Sequence, residues 1–328
     1  MFNVDNAHPL AIQWAREELE SRGYTLHSDI PEIVQTTPWS YVARFDTTSG
    51  IIYLKQTPEL IALEASIIQM LHHKWNAPVP VIIAHNKPLH CFLMNDAGKT
   101  LRSIFKQSFD PTLMIKATDL FVSLQCSVSE GIDAFIQMGV PDWRLSQMPN
   151  LFKDLISNHA MLLKEGLSEE EVRKLENSYP VISSLCNQLS EFKIKASIVQ
   201  PDFNDNNTLI DDRSQKITFI DLGEIAISHP FFPLMNCMHI LKKYHGLSHD
   251  HESAITIKNA YLNHFLKFES QRNCLKAFEL AQKLWYVYGI LAHHRLMQAC
   301  GQNELKAFGH GGQLRMLAGE LIKLCQRI

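Results

Sequence analysis

The distribution of strand and helix patterns along the 328 residues is the feature that most constrains the fold. The segment EIVQTTPWSYVARFDTTSGIIYLKQ predicts three strands joined by turns, the second turn at TTSG. Two more strands are predicted in VPVIIAHN and HCFLMND. From Thr100 onward helical periodicity dominates, and the clear strands KASIV, TLIDD and KITFI all lie between positions 195 and 220. We therefore expect an α+β chain with a small five-stranded part, containing one helix, followed by a larger, mainly helical part.

The segment TPELIALEASIIQMLHHKW predicts the helix of the small part. Thr57 is a suitable N-cap, and Pro58 suits the first helical turn. Leu60, Ile67 and Leu71 recur at helical spacing and define one apolar face. This face is expected to pack against the sheet.

Glu64 falls on the same face as these apolar residues. A carboxylate there needs a cation, because an unpaired buried charge is expensive. Lys55, which ends the strand pattern IIYLK, is the expected partner. A purely structural ion pair and a functional one are both compatible with this pattern.

Charge and hydropathy exclude several classes of protein. The net charge of −3 argues against an electrostatic grip on nucleic acid, which needs clustered basic residues. The longest apolar runs fall well short of the ~20 residues that cross a bilayer. Residues 1–30 predict an amphipathic N-terminal helix without the pattern of a secretory signal. Seven scattered cysteines without a CxxC pair fit buried thiols, so we expect a cytoplasmic protein with no membrane and no nucleic-acid partner.

The stretch IVQPDFNDNNTLI is unusually rich in Asp and Asn. Asp202, Asn204 and Asn206 match the first, third and fifth places of a calcium-binding EF-hand loop. That loop also requires glycine at its sixth place and glutamate at its twelfth, where this chain has Asn207 and Arg213. The flanking segments are strand-like, whereas an EF-hand joins two helices. A polar turn and the working loop of an enzyme are the alternatives that remain.

Two other segments carry polar residues of interest. Asp221 follows the apolar run ITFI, where a turn residue and a metal ligand are equally compatible with the pattern. His245, His249 and His251 lie close together in YHGLSHDHES, which is more typical of a solvated loop between helices than of a metal site.

Taken in order, the segments QPDFNDNN, FIDLGE and SHPFF resemble signatures of the aminoglycoside phosphotransferase and choline kinase group of small-molecule kinases. Members commonly carry H-G-D-x-x-x-x-N or H-D-D-x-x-D-x-N, followed by a hairpin strand that ends in I-D-W-G. The resemblance extends from about Glu32 to about Leu234. It implies a bilobal protein-kinase-like fold and an ATP- and Mg²⁺-dependent transfer of phosphate to a hydroxyl group.

The resemblance also implies roles for the polar residues of the large part. Asp202 would be the catalytic base that accepts or orients the proton of the acceptor hydroxyl. Asn207 and Asp221 would bind Mg²⁺. Gln200 stands where a histidine is usual, and Pro201 where glycine or aspartate is usual.

In the small part, the resemblance implies that Lys55 contacts the ATP phosphates and that Glu64 holds the Lys55 ammonium. Ser40 is the candidate for the phosphate-covering turn TTPWSY, which contains no glycine. The backbone of Asn95 and Ala97 would receive the adenine. The implied organisation is an N-terminal helix over 1–30, a nucleotide-binding lobe over 31–98 with a hinge near 94–98, and a helical lobe over 99–328.

The expected function is therefore that of a kinase for a small-molecule hydroxyl acceptor. The main alternative is a catalytically silent, nucleotide-binding regulatory protein of the same fold, although Lys55, Asp202, Asn207 and Asp221 are all retained. A protein acceptor is disfavoured because no A-P-E-like segment follows Asp221. Residues 231–328 contain 12 Lys and Arg against 6 Asp and Glu, so we expect a neutral or anionic acceptor and not a polycationic antibiotic.

Overall fold

The computed structural model describes the backbone of residues 4–327 and the side chains of residues 8–327. The first three residues of the predicted N-terminal helix lie outside the described residues. The helix occupies Val4–Ser21. None of the helices within the described range is long and apolar enough to cross a membrane.

The longer strands come first and most of the helices follow, as the sequence pattern predicts, while the strands at Lys99–Thr100 and Ala226–Ser228 were not predicted. The strands are β1 Glu32–Thr37, β2 Ser40–Thr47, β3 Gly50–Gln56, β4 Ile82–Asn86, β5 Cys91–Asn95, β6 Lys99–Thr100, β7 Ser197–Val199, β8 Thr208–Ile210, β9 Ile217–Phe219 and β10 Ala226–Ser228. The helices are α1 Val4–Ser21, α2 Glu64–Trp75, α3 Leu101–Phe105, α4 Pro111–Val128, α5 Ile132–Met138, α6 Met148–Ile156, α7 His159–Lys164, α8 Glu169–Ser190, α9 Phe232–His245, α10 Glu252–Asn263, α11 Gln271–Cys300, α12 Gln302–Leu305 and α13 Gln313–Cys325.

The chain divides into two compact units. Unit 1 comprises residues 1–99, 209–223 and 296–309, and unit 2 comprises residues 100–208, 224–295 and 310–328. Unit 1 contains the long strands, and unit 2 contains most of the helices. The chain is therefore α+β, with a five-stranded part and a larger helical part, as the sequence predicts.

The main sheet of unit 1 is antiparallel, with the strand order β1-β2-β3-β5-β4. Hairpins join β1 to β2 and β2 to β3, and the second turn pairs Thr47 with Gly50, whose φ of 113° favours glycine. The hairpin prediction at TTSG is thus confirmed. β3 lies in the middle of the sheet, so its backbone pairs with a neighbouring strand on each side, β2 and β5.

Helix α1 supplies part of the apolar core of unit 1. It presents small and branched side chains at four-residue spacing, which brings them to one face of the helix. Ala11, Ala15 and Leu19 form this face, and the sheet residues buried in the same cluster are Ala43, Phe45, Ile52, Leu54 and Leu93. Two alanines on the helix leave little side-chain bulk between its backbone and the sheet.

The helix predicted to start at Thr57 begins later than expected. Pro58 is extended, with ψ of 152°, so no helix starts there. A single 3₁₀ turn, Glu59–Ile61, follows, and α2 starts only at Glu64. Leu60 therefore lies outside the apolar face and is 52% exposed, which corrects the prediction. Ile67 and Leu71 are buried as expected.

In unit 2, helix α4 supports the strand that leads into the Asp/Asn-rich loop. The buried Gln125 side chain donates from Nε2 to the carbonyl of Ile198 at 2.8 Å. Ser197 Oγ donates to the carbonyl of Gln125 at 2.6 Å. β7 also pairs with β10 in a two-stranded sheet. The loop after β7 therefore starts from a strand that is held in place by hydrogen bonds to α4 and β10.

His229 follows β10 and is fully buried between aromatic rings. Its Nδ1 accepts the N–H of Phe231 at 3.3 Å, and the Phe231 and Phe232 rings lie 4.8 and 6.0 Å away. Burial lowers its pKa from the usual 6.5 to about 3. The unfolded chain therefore takes up a proton well before the folded chain does as the pH falls.

This difference predicts a loss of stability in acid. Between about pH 6.5 and about pH 3, His229 alone removes about 1.4 kcal/mol of unfolding free energy per pH unit. The variant His229→Asn offers a hydrogen-bond acceptor but does not titrate. Denaturant unfolding at a series of pH values should give a shallower acid slope for His229→Asn than for the unmodified protein. Equal slopes would show that His229 is not buried in its neutral form.

Candidate active site

Lys55 is a buried cation at the end of the central strand β3 of unit 1. It pairs with Val42 in β2 and with Phe92 in β5, and only 5% of the residue is exposed. Its Nζ donates to Glu64 Oε2 at 2.7 Å and also contacts Asp221 Oδ1. The ion pair expected with Glu64 is therefore present, and Asp221 is a second carboxylate on the same ammonium.

The two carboxylates keep Lys55 charged. Burial lowers the pKa of Lys55, but the fields of Asp221 and Glu64 and their hydrogen bonds outweigh it, so the net pKa is raised. Lys55 consequently carries its positive charge throughout the neutral pH range. A fixed positive charge of this kind is suited to binding an anion.

Glu64 also holds the turn that follows β9. Its Oε1 accepts the backbone N–H of Leu222 at 3.0 Å, while Oε2 accepts from Lys55. Asp221, just before Leu222, has φ of 59°, a left-handed conformation that Asp tolerates better than most residues. The Glu64 side chain therefore fixes the turn from which Asp221 projects, and the Asp221 side chain remains 46% exposed.

Gly223 completes this turn at a point of close approach. A Cβ atom at position 223 would lie 2.7 Å from the carbonyl oxygen of Ile61 and 3.3 Å from Glu64 Oε2. The Ile61 carbonyl belongs to the 3₁₀ turn that precedes α2. Only glycine allows the turn to approach α2 this closely.

The predicted adenine-binding segment follows β5 in unit 1. The N–H of Asn95 donates to the carbonyl of Val81 at 3.1 Å, and the N–H of Asp96 donates to Ile51 at 3.2 Å. Ala97 is partly buried, and Gly98 has φ of 101°. A Cβ at Gly98 would lie 2.1 Å from the carbonyl oxygen of Ile210. The sheet thus engages the N–H of Asn95, and Gly98 permits the close approach of β8.

Ser40, the candidate from the phosphate-covering turn, begins β2. Its N–H donates to Thr37 Oγ1 at 3.1 Å, and its carbonyl accepts from the same hydroxyl at 3.0 Å. Ser40 is only 6% exposed. The side chain of Thr37 therefore closes the β1–β2 turn.

Asp202 lies in the loop after β7 in unit 2 and is held by amide side chains. Asn204 Nδ2 donates to Asp202 Oδ1 at 2.7 Å, and Asn207 Nδ2 donates to Oδ2 at 2.8 Å. Asn236 Nδ2 lies 3.4 Å from Oδ1. The two loop amides also bond to the Asp202 carbonyl at 2.9 Å. The carboxylate is therefore exposed but fixed in direction.

A buried ionic group anchors the same loop. Asp205 has no exposed side-chain surface, and its Oδ1 accepts from Arg102 at 2.7 Å while its Oδ2 bonds to His245 Nε2 at 2.7 Å. Arg102 also donates to Asn204 Oδ1 at 3.2 Å, and its backbone N–H donates to the Asp205 carbonyl at 3.0 Å. Helices α3 and α9 thus clamp the loop from two directions.

Known proteins are similar to this chain in structure and not in sequence. No protein-family model matches it, and no curated protein matches it. A macrolide 2′-phosphotransferase type I has a TM-score of 0.59 at 13% identity, over 92% of this chain and 96% of that one. An ethanolamine kinase from Plasmodium vivax has a TM-score of 0.61 at 13% identity, over 91% of this chain and 84% of that one. The GDP and kanamycin complex of an aminoglycoside phosphotransferase gives 0.57 at 13% identity, over 96% and 99%.

The chain has the fold of these phosphotransferases. The neighbours belong to the group that QPDFNDNN and FIDLGE resemble, so the expected kinase-like fold is confirmed. At these identities the agreement concerns the fold. The roles of individual residues depend on the contacts described above.

Several polar residues that this kinase-like fold brings together were not predicted from the sequence. Arg102 and Asp205 are 103 positions apart, and no local periodicity relates them. The sequence pattern places His245 in a solvated loop, and this prediction is wrong, because its side chain is only 7% exposed and it ends α9. The third D of the H-D-D-x-x-D-x-N pattern aligns with Asp205, and it is the one feature of the sequence that points to this residue.

Two side chains carry oxygen atoms of a kind that a divalent cation of the magnesium type can bind, one in each unit. Mg²⁺ prefers carboxylate and carbonyl oxygens. Asp221 supplies an exposed carboxylate in unit 1. Asn207, in unit 2, uses Nδ2 to donate to Asp202, and this contact leaves its amide oxygen available as a ligand.

The other two histidines of YHGLSHDHES lie near the start of α10. His249 is exposed, and His251 accepts the N–H of Ser253 as the cap of α10.

The close approach at Gly223 predicts a large effect for a small substitution. Gly223→Ala should lower the unfolding free energy by about 1–3 kcal/mol, because the new methyl group displaces either the turn or α2. It should also shift the position of Asp221, so any nucleotide that contacts Asp221 should bind with lower affinity.

Gly319→Ala is the matched control. Gly319 lies within α13, where a Cβ meets nothing within 4 Å, so alanine should stabilise the protein by up to about 1 kcal/mol. Thermal and denaturant unfolding of both variants measures the contrast. A Gly223→Ala protein as stable as the Gly319→Ala protein would contradict the role assigned to Gly223.

Proposed function

We propose that this protein is a phosphotransferase that moves the γ-phosphate of ATP, with Mg²⁺, to a hydroxyl group of a small molecule. The observation that carries the proposal is the buried Lys55 ammonium held between Glu64 and Asp221, in a chain with the fold of hydroxyl phosphotransferases. A buried cation fixed by two carboxylates is expensive to maintain. Binding of phosphate groups by Lys55 accounts for the presence of such a cation.

In this proposal Lys55 binds the α- and β-phosphates and Glu64 keeps its ammonium in place. Phosphoryl transfer passes through a loose transition state, so the protein acts mainly by positioning and by balancing charge. Asn95 and Ala97 receive the adenine through their backbone, with the carbonyl of Asn95 as a candidate acceptor because its N–H is engaged. Ser40 lies at the start of β2, at the turn proposed to cover the phosphates.

Asp202 orients the acceptor hydroxyl and takes up its proton as the oxygen attacks phosphorus. The amide N–H groups of Asn204 and Asn207 donate to its two oxygens and fix their direction. A carboxylate held in this way can orient the acceptor hydroxyl, and positioning is the main contribution a protein makes when the transition state is loose.

Asp221 and Asn207 would hold Mg²⁺, whose bound form neutralises charge on the transferred phosphate. The chain's own contribution is the orientation of each donor within its own unit. Glu64 fixes the turn of Asp221, and the contact with Asp202 orients the amide of Asn207. A silent nucleotide-binding protein would have no need of Asp202 beside Asn207.

The first functional prediction concerns Asp202. Asp202→Asn should reduce the rate of phosphoryl transfer by at least about 100-fold, since general-base assistance commonly contributes that much. Nucleotide affinity should be nearly unchanged, because Asp202 faces the acceptor in this proposal. Calorimetric titration with ATP and with GTP, together with a transfer assay on hydroxylated metabolites, measures both quantities.

Asp154→Asn, on the exposed side of α6, is the matched carboxylate control for that experiment. It should retain full transfer. If Asp202→Asn turned over an identified acceptor as fast as Asp154→Asn, the catalytic role of Asp202 would be wrong.

The second functional prediction concerns Asp221. Asp221→Asn should weaken binding of ATP in the presence of Mg²⁺ by at least about tenfold, because it removes a charged metal ligand. Binding of ATP without Mg²⁺ should change much less. Asp212→Asn serves as the control, since Asp212 is an exposed carboxylate of unit 1 that pairs with Lys99. Equal affinity of the unmodified protein for ATP with and without Mg²⁺ would exclude the metal-binding role.

A further inference from the structure

Helix α9 presents one face beside the carboxylate of Asp202. Asn236, in the second turn of α9, places Nδ2 3.4 Å from Asp202 Oδ1 and 3.4 Å from the carbonyl of Phe203. Both contacts lie within unit 2. Asn236 therefore marks the side of α9 that is nearest to Asp202.

The residues that follow on this face are basic. His239 and Lys243 lie three and seven positions after Asn236, on the same side of the helix, and both are exposed. The rise per residue places them about 4.5 Å and about 10.5 Å further along the axis. The sequence of α9, FPLMNCMHILKKYH, contains no acidic residue. The face therefore becomes increasingly positive with distance from Asp202.

An aromatic side chain of another helix borders the same face. The Trp285 ring of α11 lies 6.5 Å from the His239 ring at an angle of 34°, and Trp285 is half-buried. Burial lowers the pKa of His239, and the nearby cations Lys243, His249 and Lys242 lower it further. All the charged groups that act on His239 are thus basic. Asp250, next to His249, accepts a hydrogen bond from Ser248.

We infer that Asn236, His239, Lys243 and Trp285 form a wall that binds an anionic hydroxylated compound, with its reactive hydroxyl at Asp202 and its carboxylate or phosphate group toward Lys243. This inference rests on the proposed function, because it takes Asp202 as the residue that meets the acceptor. The spacing along α9 fits a molecule of the size of a sugar acid or a sugar phosphate. The Trp285 ring offers a flat apolar surface for the carbon skeleton.

The same wall disfavours a cationic acceptor. An amino group near Lys243 and Lys242 would meet like charges, and each such contact costs binding energy. Lysines near the end of a helix also interact favourably with its dipole. That effect accounts for Lys242 and Lys243. It does not account for His239, which is one turn from Asn236 on α9, or for the Trp285 ring beside it.

The experiment compares ligands that differ in charge and share a skeleton. Binding of glucuronate, glucose 6-phosphate, glucose and glucosamine is measured by calorimetry, as is binding of the three-carbon pair glycerate and glycerol. Each titration is done with saturating MgATP analogue. The wall predicts that at least one anion binds tenfold or more tightly than its neutral and cationic counterparts. The carboxylate and phosphate arms distinguish the two kinds of anion.

Charge-reversal variants connect the preference to the wall. Lys243→Glu should reduce the affinity for the preferred anion at least tenfold, and Trp285→Phe should remove most of the change in tryptophan fluorescence on binding. Lys276→Glu is the control, because Lys276 is an exposed lysine of α11 nine residues, or about 13.5 Å of helix, before Trp285. It should bind the anion as the unmodified protein does. Thermal unfolding verifies that each variant is folded.

The inference is overturned if neutral or cationic compounds bind as tightly as the anions, if no compound of the panel binds, or if Lys243→Glu and Lys276→Glu behave alike. Failure of the proposed function has a separate signature. It would appear as absent binding of MgATP to the unmodified protein, whereas MgATP binding without any preference for anions removes the acceptor wall alone.

Discussion

A lysine ammonium that is removed from water must be compensated by nearby carboxylates, and Lys55 imposes this requirement on unit 1. Glu64 and Asp221 meet it from two different segments, the start of α2 and the turn after β9. Removing one partner of such a group typically costs about 3–5 kcal/mol, because the remaining charge stays buried. The sheet, the helix and the turn are thereby held in one arrangement. The close approach at Gly223 is a consequence of that arrangement.

Unit 2 uses a comparable device for a different purpose. Asp205 is buried and bonded to Arg102 and His245, and these bonds immobilise the loop without occupying the carboxylate of Asp202. Asn204 connects the two groups, since it donates to Asp202 and accepts from Arg102. A buried network in which each member has partners is rigid. The exposed carboxylate therefore gains a fixed direction from polar groups that are themselves hidden from solvent.

The sequence was most informative where a local pattern meets a physical requirement. Glu64 on an apolar helix face demanded a cation, and the strand next to it supplied Lys55. Five strands and a later helical region predicted the fold class. The predicted start of α2 was wrong because the sequence does not show that Pro58 is extended. Arg102, Asp205 and His245 come together only through tertiary folding, and pairs more than 100 positions apart leave no periodic trace in one sequence.

The buried Lys55 with its two carboxylates and the proposed acceptor wall differ in their effect on the stability of the fold. Lys55 is bound to both Glu64 and Asp221, so substitution of either carboxylate changes the charge balance of a buried ammonium. His239, Lys243 and Trp285 lie on exposed or half-buried positions of α9 and α11 and do not carry the fold. Surface positions of this kind can change charge at little cost in stability. In the proposed function, phosphate binding therefore depends on buried ionic contacts, whereas the choice of acceptor depends on a few helix residues at the surface.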